Sequence, residues 1–295
     1  MTRLMLVDAA TLYYRAFYAL PDSITAPDGT PMNAVRGFFD GLRTLRDRYS
    51  PDVIVACWDE DWRPQWRVDL LPSYKTHRLA TPTDAVAVDV AEEVPDTLAP
   101  QVPCIAAICR AAGISVVGAP ELEADDVVAA LASTHTGPVD IVSGDRDLTQ
   151  LVDDARGHRL LYLGTGVGTH TVYDEATVFD TYGVRADQYA DFATLRGDAS
   201  DGIPGAPGIG AKTAAQYLAA FGNLAGVLAA AHEQRPPLTA KKAATLREYE
   251  AVLRATQRVV TLQAANLAYA PAVRDETELA KWIERTGQRT ALAHW

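Results

Sequence analysis

The pattern of apolar residues constrains the fold more than any other feature of this sequence. Short β-rich runs recur between segments of helical periodicity, at Leu4–Asp8, Val53–Trp58, Ile114–Val117, Val139–Ser143 and Arg159–Leu163. Near-continuous apolar strands separated by helices are typical of a mainly parallel sheet that is covered on both faces. We therefore predict an α/β fold with a central sheet flanked by helices, and ligands at the carboxyl ends of its strands.

Acidic residues follow these strands and the starts of later helices. Asp8, Asp59 and Asp145 lie at or just beyond three strand ends, so they should converge on one rim of the sheet. Each acid taken alone could be a helix cap, a first-turn residue or a turn former. Together they predict a site for an oxygen-preferring cation, Mg²⁺ or Mn²⁺, rather than zinc. The candidate ligands are nine: Asp8, Asp59, Glu123, Asp125, Asp126, Asp145, Asp147, Asp198 and Asp201.

Two such ions would clamp the attacking and leaving oxygens of a phosphodiester displacement, and nine acids leave room for a third ion. Lys75 and Arg78, in SYKTHR, have the spacing of one helical face and are candidate cations for the scissile phosphate. A solvated basic face is the alternative for this pair. Arg15, shortly after Asp8, is a similar candidate.

A Gly/Pro-rich turn, GDASDGIPGAPGIGAKTA at residues 197–214, joins two of the aspartates to a new helix. Gly208, Gly210, Lys212 and Thr213 have the character of a backbone cradle for a phosphate at a helix N-terminus. The glycines of GTGVG, at residues 164–168, instead lie between two β-like runs, and there we predict a hairpin turn.

Charge and composition limit the function classes. The net charge of −11 over 295 residues argues at first sight against nucleic acid, because proteins that hold the phosphate backbone by charge alone are basic. Bound divalent ions would reverse the local field and weaken that objection. No apolar run reaches transmembrane length, so we expect a cytoplasmic protein without a membrane span. The cysteines Cys57, Cys104 and Cys109 are expected to be reduced thiols.

The chain divides into three segments by pattern. We expect an α/β core over residues 1–183, which includes a loop-rich region at about residues 60–103. A smaller helical subdomain is expected over residues 184–258. The segment 259–295 should return to the core and open with a short strand at Val259–Leu262.

In their order along the chain, these motifs resemble the bacterial 5′–3′ exonuclease and flap endonuclease family, including the 5′-nuclease domain of repair-type DNA polymerases. The resemblance covers nearly the whole chain and rests on LMLVDAATLYYRAFYALP, NAVRGF, WDEDWRPQWRVDLLPSYKTHR, ELEADDVVAALA, IVSGDRDLTQLV and GDASDGIPGAPGIGAKTA. Ala9 and Trp58 depart from the family pattern, but neither removes an acid.

The resemblance implies a PIN/resolvase-like core and a helix–three-turn–helix at residues 202–214 that binds duplex DNA and holds K⁺ on its carbonyls. It implies that residues 1–183 are a nuclease core and that the helical subdomain over residues 184–258 binds DNA. It also implies that the region at about residues 60–103, with Lys75 and Arg78, is the gateway region for a 5′ strand. It assigns Asp145 to a position between the two metals. A first metal would take Asp8, Asp59, Glu123, Asp125 and Asp126, partly through water, and a second would take Asp147, Asp198 and Asp201.

The expected activity is hydrolysis of DNA at 5′ flaps, nicks or free 5′ ends by a stand-alone, monomeric 5′ nuclease. The resemblance also implies a functional partnership with a repair DNA polymerase. Two alternatives stay open at this point: a non-catalytic module that binds branched DNA by shape, and a PIN-type ribonuclease. The turn at residues 202–214 disfavours the second, because a small ribonuclease would not need it.

Overall fold

The structure is a computed structural model that describes residues 1–79, 94–263 and 265–295. Its centre is a six-stranded sheet with the order β3-β2-β1-β4-β5-β6, in which only β6 runs antiparallel to its neighbour. The strands are β1 Leu4–Asp8, β2 Val53–Cys57, β3 Ser115–Val117, β4 Val139–Ser143, β5 His158–Tyr162 and β6 Thr171–Tyr173. The predicted α/β class is confirmed.

Both faces of the sheet are covered, which explains why the strands are apolar throughout. Alternate residues of β1 enter different cores: Met5 and Val7 join one, and Leu4 and Leu6 join the other. All four are fully buried. A side chain points to opposite faces at successive positions of a strand, so a strand buried on both sides has no polar alternation.

Thirteen α-helices surround and extend this sheet in the described ranges. The first core contains residues of α1, α2, α4, α12 and α13, and α5 covers the opposite face. Their bounds are α1 Ala9–Ala19, α2 Asn33–Tyr49, α3 Gln65–Leu70, α4 Gln101–Ala111, α5 Ala124–Thr134, α6 Glu175–Tyr182, α7 Tyr189–Arg196, α8 Ala211–Phe221, α9 Leu224–Glu233, α10 Ala240–Glu248, α11 Glu250–Val260, α12 Glu276–Thr286 and α13 Arg289–Leu292.

A separate apolar core holds α7 to α11 together. Leu71 and Tyr74, which follow α3, are buried in this core, so the segment after α3 packs on the helical part of the chain. Further along, the C-terminal segment returns to the sheet, where Leu279, Leu292 and Trp295 lie in the first core.

Three local expectations have different outcomes. The predicted strand Val259–Leu262 is wrong, because Val259 and Val260 are the buried last residues of α11. The hairpin at residues 164–168 is confirmed, since β5 and β6 pair in antiparallel fashion on either side of it. Residues 80–93 of the gateway region lie outside the described residues.

In the described part of the chain, no single helix is long and apolar enough to cross a membrane. The pair α8 and α9, bent by 85°, reaches that length and composition only when the two helices are taken together.

Candidate active site

A cavity of about 420 Å³ lies at the carboxyl ends of the central strands. It is polar, and acidic and basic side chains from well-separated parts of the chain meet there. Its charged lining residues are Asp8, Asp59, Lys75, Arg78, Glu123, Asp125, Asp145 and Arg146. Strand ends on one rim of a parallel sheet thus bring together the acids that the sequence pattern placed there.

Asp8 is held in place by the start of α1 and the end of β4. Its carboxylate accepts hydrogen bonds from the N–H of Thr11 (3.1 Å) and from the hydroxyl of Ser143 (2.7 Å). Asp8 is the last residue of β1 and the N-cap of α1. It therefore serves as a helix cap and also lines the cavity. The cap fixes the carboxylate at the rim of the cavity.

Five of the nine acids form no ion pair with a basic side chain in the described ranges: Asp8, Asp59, Asp125, Asp145 and Asp147. Backbone N–H groups orient two of them. The N–H of Ala124 donates to Asp59 and that of Asp147 donates to Asp145, each at 2.8 Å. We call these five acids the unpaired cluster.

Burial and mutual repulsion raise the pKa values of four members of the unpaired cluster. Burial, followed by the charge of Asp8, raises the pKa of Asp59 to about 7. Burial, followed by the charge of Asp201, raises the pKa of Asp145 to about 6. Burial and the Asp145 carboxylate raise the pKa values of Asp125 and Asp147 well above the ordinary range. Positive charge brought by a bound cation would therefore favour the ionised form of these acids.

This donor set fits hard divalent cations, because it consists of carboxylate oxygens and because the repulsion within it calls for positive charge. Among the described residues, no three His, Cys, Asp or Glu side chains already stand close enough together to form a coordination shell. The carboxylates would therefore have to move towards an incoming ion.

Two other acids, Glu123 and Asp126, are paired with buried cations. Arg67, only 2% exposed, donates to both oxygens of Asp126 at 2.8 Å and approaches Glu123 at 3.1 Å. The ammonium of Lys75 and the hydroxyl of Tyr74 also donate to Glu123. Asp126 is fully buried and does not line the cavity, so the structure does not bring this predicted ligand to the site.

The last two acids, Asp198 and Asp201, are paired with cations from other elements. Asp201 accepts from Arg78 at 2.7 Å. Asp198 accepts from Arg146 at 3.3 Å and from Arg196 at 2.8 Å. The nine predicted ligands thus separate into an unpaired cluster of five and four ion-paired acids. Five of the nine line the cavity, namely Asp8, Asp59, Glu123, Asp125 and Asp145, whereas Asp126, Asp147, Asp198 and Asp201 do not.

The predicted basic residues have different placements. Lys75 and Arg78 line the cavity, but Lys75 has a left-handed backbone (φ 50°) and precedes the short 3-10 helix Thr76–Arg78, so the two share no α-helical face. Although burial opposes it, the charge of Glu123 raises the pKa of Lys75. Arg15 does not line the cavity, since its guanidinium donates to the carbonyl of Gly164 at 3.2 Å.

The Gly-rich turn leads into α8, and its Ser200 lines the cavity, whereas the four residues predicted to bind phosphate do not. Gly210 caps α8 without a side-chain hydrogen bond, and both Gly210 and Lys212 are exposed, while Thr213 is half-buried. The carbonyl of Gly208 accepts from the ammonium of Lys242 on α10. Free backbone N–H groups at an exposed helix start suit a phosphate, and the role of these residues stays a prediction.

Sequence reasoning missed Arg67 and Arg146. A signal for Arg146 was present, since a basic residue between Asp145 and Asp147 follows a buried strand directly. Nothing in the sequence near Arg67 indicates its partner, because Asp126 lies 59 residues away.

Comparisons with known proteins agree with this architecture. Residues 3–183 match the family described as 5′-3′ exonuclease, N-terminal resolvase-like domain, and residues 184–277 match the 5′-3′ exonuclease, C-terminal SAM fold. The chain is 54% identical over 260 residues to a 5′-3′ exonuclease of Streptomyces coelicolor, which covers 88% of this chain and 86% of that protein. It is 39% identical over 226 residues to DNA polymerase I of Mycobacterium tuberculosis, covering 75% of this chain and 23% of the polymerase.

Solved structures share the fold at low identity. The T5 D15 protein co-crystallized with metal ions has a TM-score of 0.67 and 20% identity, covering 99% of this chain and 98% of that one. The catalytic core of Rad2 in complex with a DNA substrate has a TM-score of 0.57 and 17% identity, covering 99% of this chain and 92% of that one. A resolvase-like domain followed by a helical SAM-fold domain is thus established, and the chain belongs to the 5′-3′ exonuclease family.

Proposed function

We propose that this chain is a structure-selective 5′ nuclease that hydrolyses phosphodiester bonds in DNA at 5′ flaps, nicks and free 5′ ends. The observation that carries the proposal is one cavity of about 420 Å³, where four acids of the unpaired cluster meet Lys75 and Arg78; the four are Asp8, Asp59, Asp125 and Asp145. Acids without cationic partners would take divalent ions, and the basic side chains would take phosphate. The membership in the 5′-3′ exonuclease family supports the same substrate chemistry.

The metal is proposed to be Mg²⁺ or Mn²⁺, with two ions and room for a third. Asp8, Asp59, Asp125, Asp145 and Asp147 would hold them directly, since in the described ranges no cation competes for these carboxylates. Glu123, Asp198 and Asp201 would bind the ions through water, or directly after their basic partners move away. Asp126 would act indirectly, because it holds Arg67, which also contacts Glu123. Bound divalent ions supply a hydroxide-like water and charge stabilisation for the leaving oxygen.

The chain's own residues orient the reaction around that chemistry. Thr11 and Ser143 fix the Asp8 carboxylate, and the Ala124 N–H fixes that of Asp59, so both point to the cavity before substrate arrives. Lys75 and Arg78 would neutralise charge on the scissile phosphate, since fixed cations act most strongly where charge develops. The first turn of α8, with Lys212 and Thr213, would bind a phosphate of the duplex.

We also propose a potassium site, a monomeric state and a partner protein. K⁺ would bind at the carbonyls of the turn before α8, close to the Gly208 carbonyl that Lys242 already contacts. The protein would act as a monomer in the cytoplasm, in replication and repair. A repair DNA polymerase is the proposed functional partner, because DNA polymerase I carries a segment 39% identical to this chain.

The test is cleavage of a duplex with a 5′-labelled flap, in Mg²⁺, in Mn²⁺ and in EDTA. Wild-type protein should release a product cut near the junction only with a divalent ion, and Asp145→Asn should lose cleavage while it still binds the flap. Asp187→Asn is the control, since Asp187 is exposed and its one ion pair within the described residues is with Arg185. A wild-type protein that binds flaps but never cuts them would replace the proposal with a non-catalytic branched-DNA binder.

A further inference from the structure

Arg146 presents more unused hydrogen-bond capacity to the cavity than Lys75 or Arg78 does. It follows β4 directly, between Asp145 and Asp147, and its side chain is 40% exposed. Within the described residues, its guanidinium makes one hydrogen bond, from Nη2 to Asp198. Because a guanidinium carries five N–H donors in a planar fork, four remain available at the cavity.

The other cations near the cavity are more fully engaged. Arg78 donates from Nη2 to both Asp201 and the Ser200 carbonyl, and the Lys75 ammonium donates to Glu123 and to the Trp62 carbonyl. Arg196, which shares Asp198 with Arg146, also donates to the Gly197 carbonyl and is only 19% exposed on its side chain. Among the three cations that line the cavity, Arg146 thus makes the fewest hydrogen bonds in the described residues, and its side chain is slightly more exposed than that of Arg78 (40% against 36%).

Asp198 gives Arg146 a fixed position. The Oδ1 atom of Asp198 accepts from the N–H (3.0 Å) and the hydroxyl of Ser200, and its Oδ2 atom accepts from Arg146 (3.3 Å) and Arg196 (2.8 Å). Its side chain is 6% exposed. Four donors therefore already occupy this carboxylate, two of them from arginines, whereas no basic side chain of the described residues pairs with the unpaired cluster.

We propose that Arg146 binds a backbone phosphate of the DNA strand that enters the cavity, next to the scissile one. This inference rests on the proposed function. A planar guanidinium matches two phosphate oxygens at once, which an ammonium does not. Because Arg146 keeps four N–H donors free beside its hydrogen bond to Asp198, it can meet the phosphate without first giving up that partner.

The experiment is single-turnover cleavage of a 5′-flap duplex in Mg²⁺, with enzyme in excess, at a series of salt concentrations. Arg146→Gln should raise the enzyme concentration for half-maximal rate about tenfold. When the logarithm of this half-maximal concentration is plotted against the logarithm of the salt concentration, the slope should be smaller by about 1, because one phosphate contact is lost. Arg146→Lys should keep most of the slope and regain only part of the affinity.

Arg159→Gln is the matched control. Arg159 is 34% exposed on its side chain and pairs with the buried Asp140, but it does not line the cavity. It should show the wild-type half-maximal concentration and salt slope. If Arg146→Gln behaves like Arg159→Gln while the wild-type protein cleaves flaps, the inference is overturned and the proposed function stands. A wild-type protein that does not cleave would instead refute the proposed function.

Melting temperatures of Arg146→Gln and Arg146→Lys separate a loss of DNA affinity from unfolding.

Discussion

Removal of the Arg67 guanidinium should destabilise the protein more than removal of any surface arginine. Arg67→Met keeps an apolar stem of similar length but leaves Asp126, fully buried, without its two 2.8 Å hydrogen bonds from the guanidinium. Glu123 loses one of its two cations, and the carbonyl of Val259 on α11 loses a donor at 3.1 Å. Breaking a buried ion pair from one side costs about 3–5 kcal/mol.

Urea denaturation at neutral pH in EDTA measures this effect as a change in the free energy of unfolding. The melting temperature should fall by roughly 6–20 °C, because each kcal/mol lowers it by about 2–4 °C in a protein of this size. Arg185→Met is the control, because the pair of Arg185 with Asp187 is 61% and 69% exposed and should contribute less than about 1 kcal/mol. The double variant Arg67→Met with Asp126→Leu should recover much of the loss, since it removes the uncompensated charge.

A loss of less than about 1 kcal/mol in Arg67→Met would refute the reasoning. It would mean that Asp126 finds another partner or is not charged in the folded protein. If Asp126→Asn instead left stability unchanged but raised the Mg²⁺ requirement for cleavage, Asp126 would serve the metals and not the Arg67 pair.

Two further predictions concern the unpaired cluster and the Gly-rich turn. Since the folded pKa values of Asp59 (about 7) and Asp145 (about 6) lie above the ordinary carboxyl value, the folded protein binds protons more tightly than the unfolded chain, and metal-free stability should fall as pH rises from about 4 to about 7. Mg²⁺ should therefore raise the melting temperature more at pH 8, where these carboxylates are ionised, than at pH 5.5. A larger rise at pH 5.5 would contradict the explanation that Mg²⁺ relieves the repulsion among them. Gly205 has a φ of 66°, and a Cβ there would meet the N of Gly197 at 2.5 Å, so Gly205→Ala should destabilise by more than about 1 kcal/mol in urea denaturation. Gly210→Ala, where a Cβ meets nothing within 4 Å in the described residues, is the control; equal losses at the two positions would show that the turn is not the constraint.

The parts of the fold that local physics determines could be predicted from the sequence. The strands of the sheet are buried on both faces, so they are short apolar runs, and five were placed to within one residue at each end. The strand predicted at Val259–Leu262 failed because a β-branched pair at the end of an amphipathic helix has the same composition as a strand. Leu253, Val259 and Val260 all face the helical core, and only their common contact with it separates the two cases.

The candidate site was predictable in composition but not in the detailed roles of its acids. Glu123 and Asp126, three residues apart at the start of α5, both contact Arg67, yet Glu123 lines the cavity with Asp125 and Asp126 does not. Spacing alone could not tell which of these acids meets the cavity. That depends on α3, whose arginine reaches α5 through the tertiary fold, and no local pattern reports such a contact.

The net charge of −11 becomes intelligible once the acids are sorted by partner. The ion-paired acids Glu123, Asp126, Asp198 and Asp201 fix arginines and a lysine around the cavity, so their charge is already compensated within the fold. The unpaired cluster is not compensated, and two divalent ions would change the net charge from −11 to −7, all at one rim of the sheet. A protein with this arrangement should repel DNA from the cavity until the ions bind, because the local field and not the total charge governs the approach of a phosphate. Metal loading would then act as a condition for productive DNA entry as well as for hydrolysis.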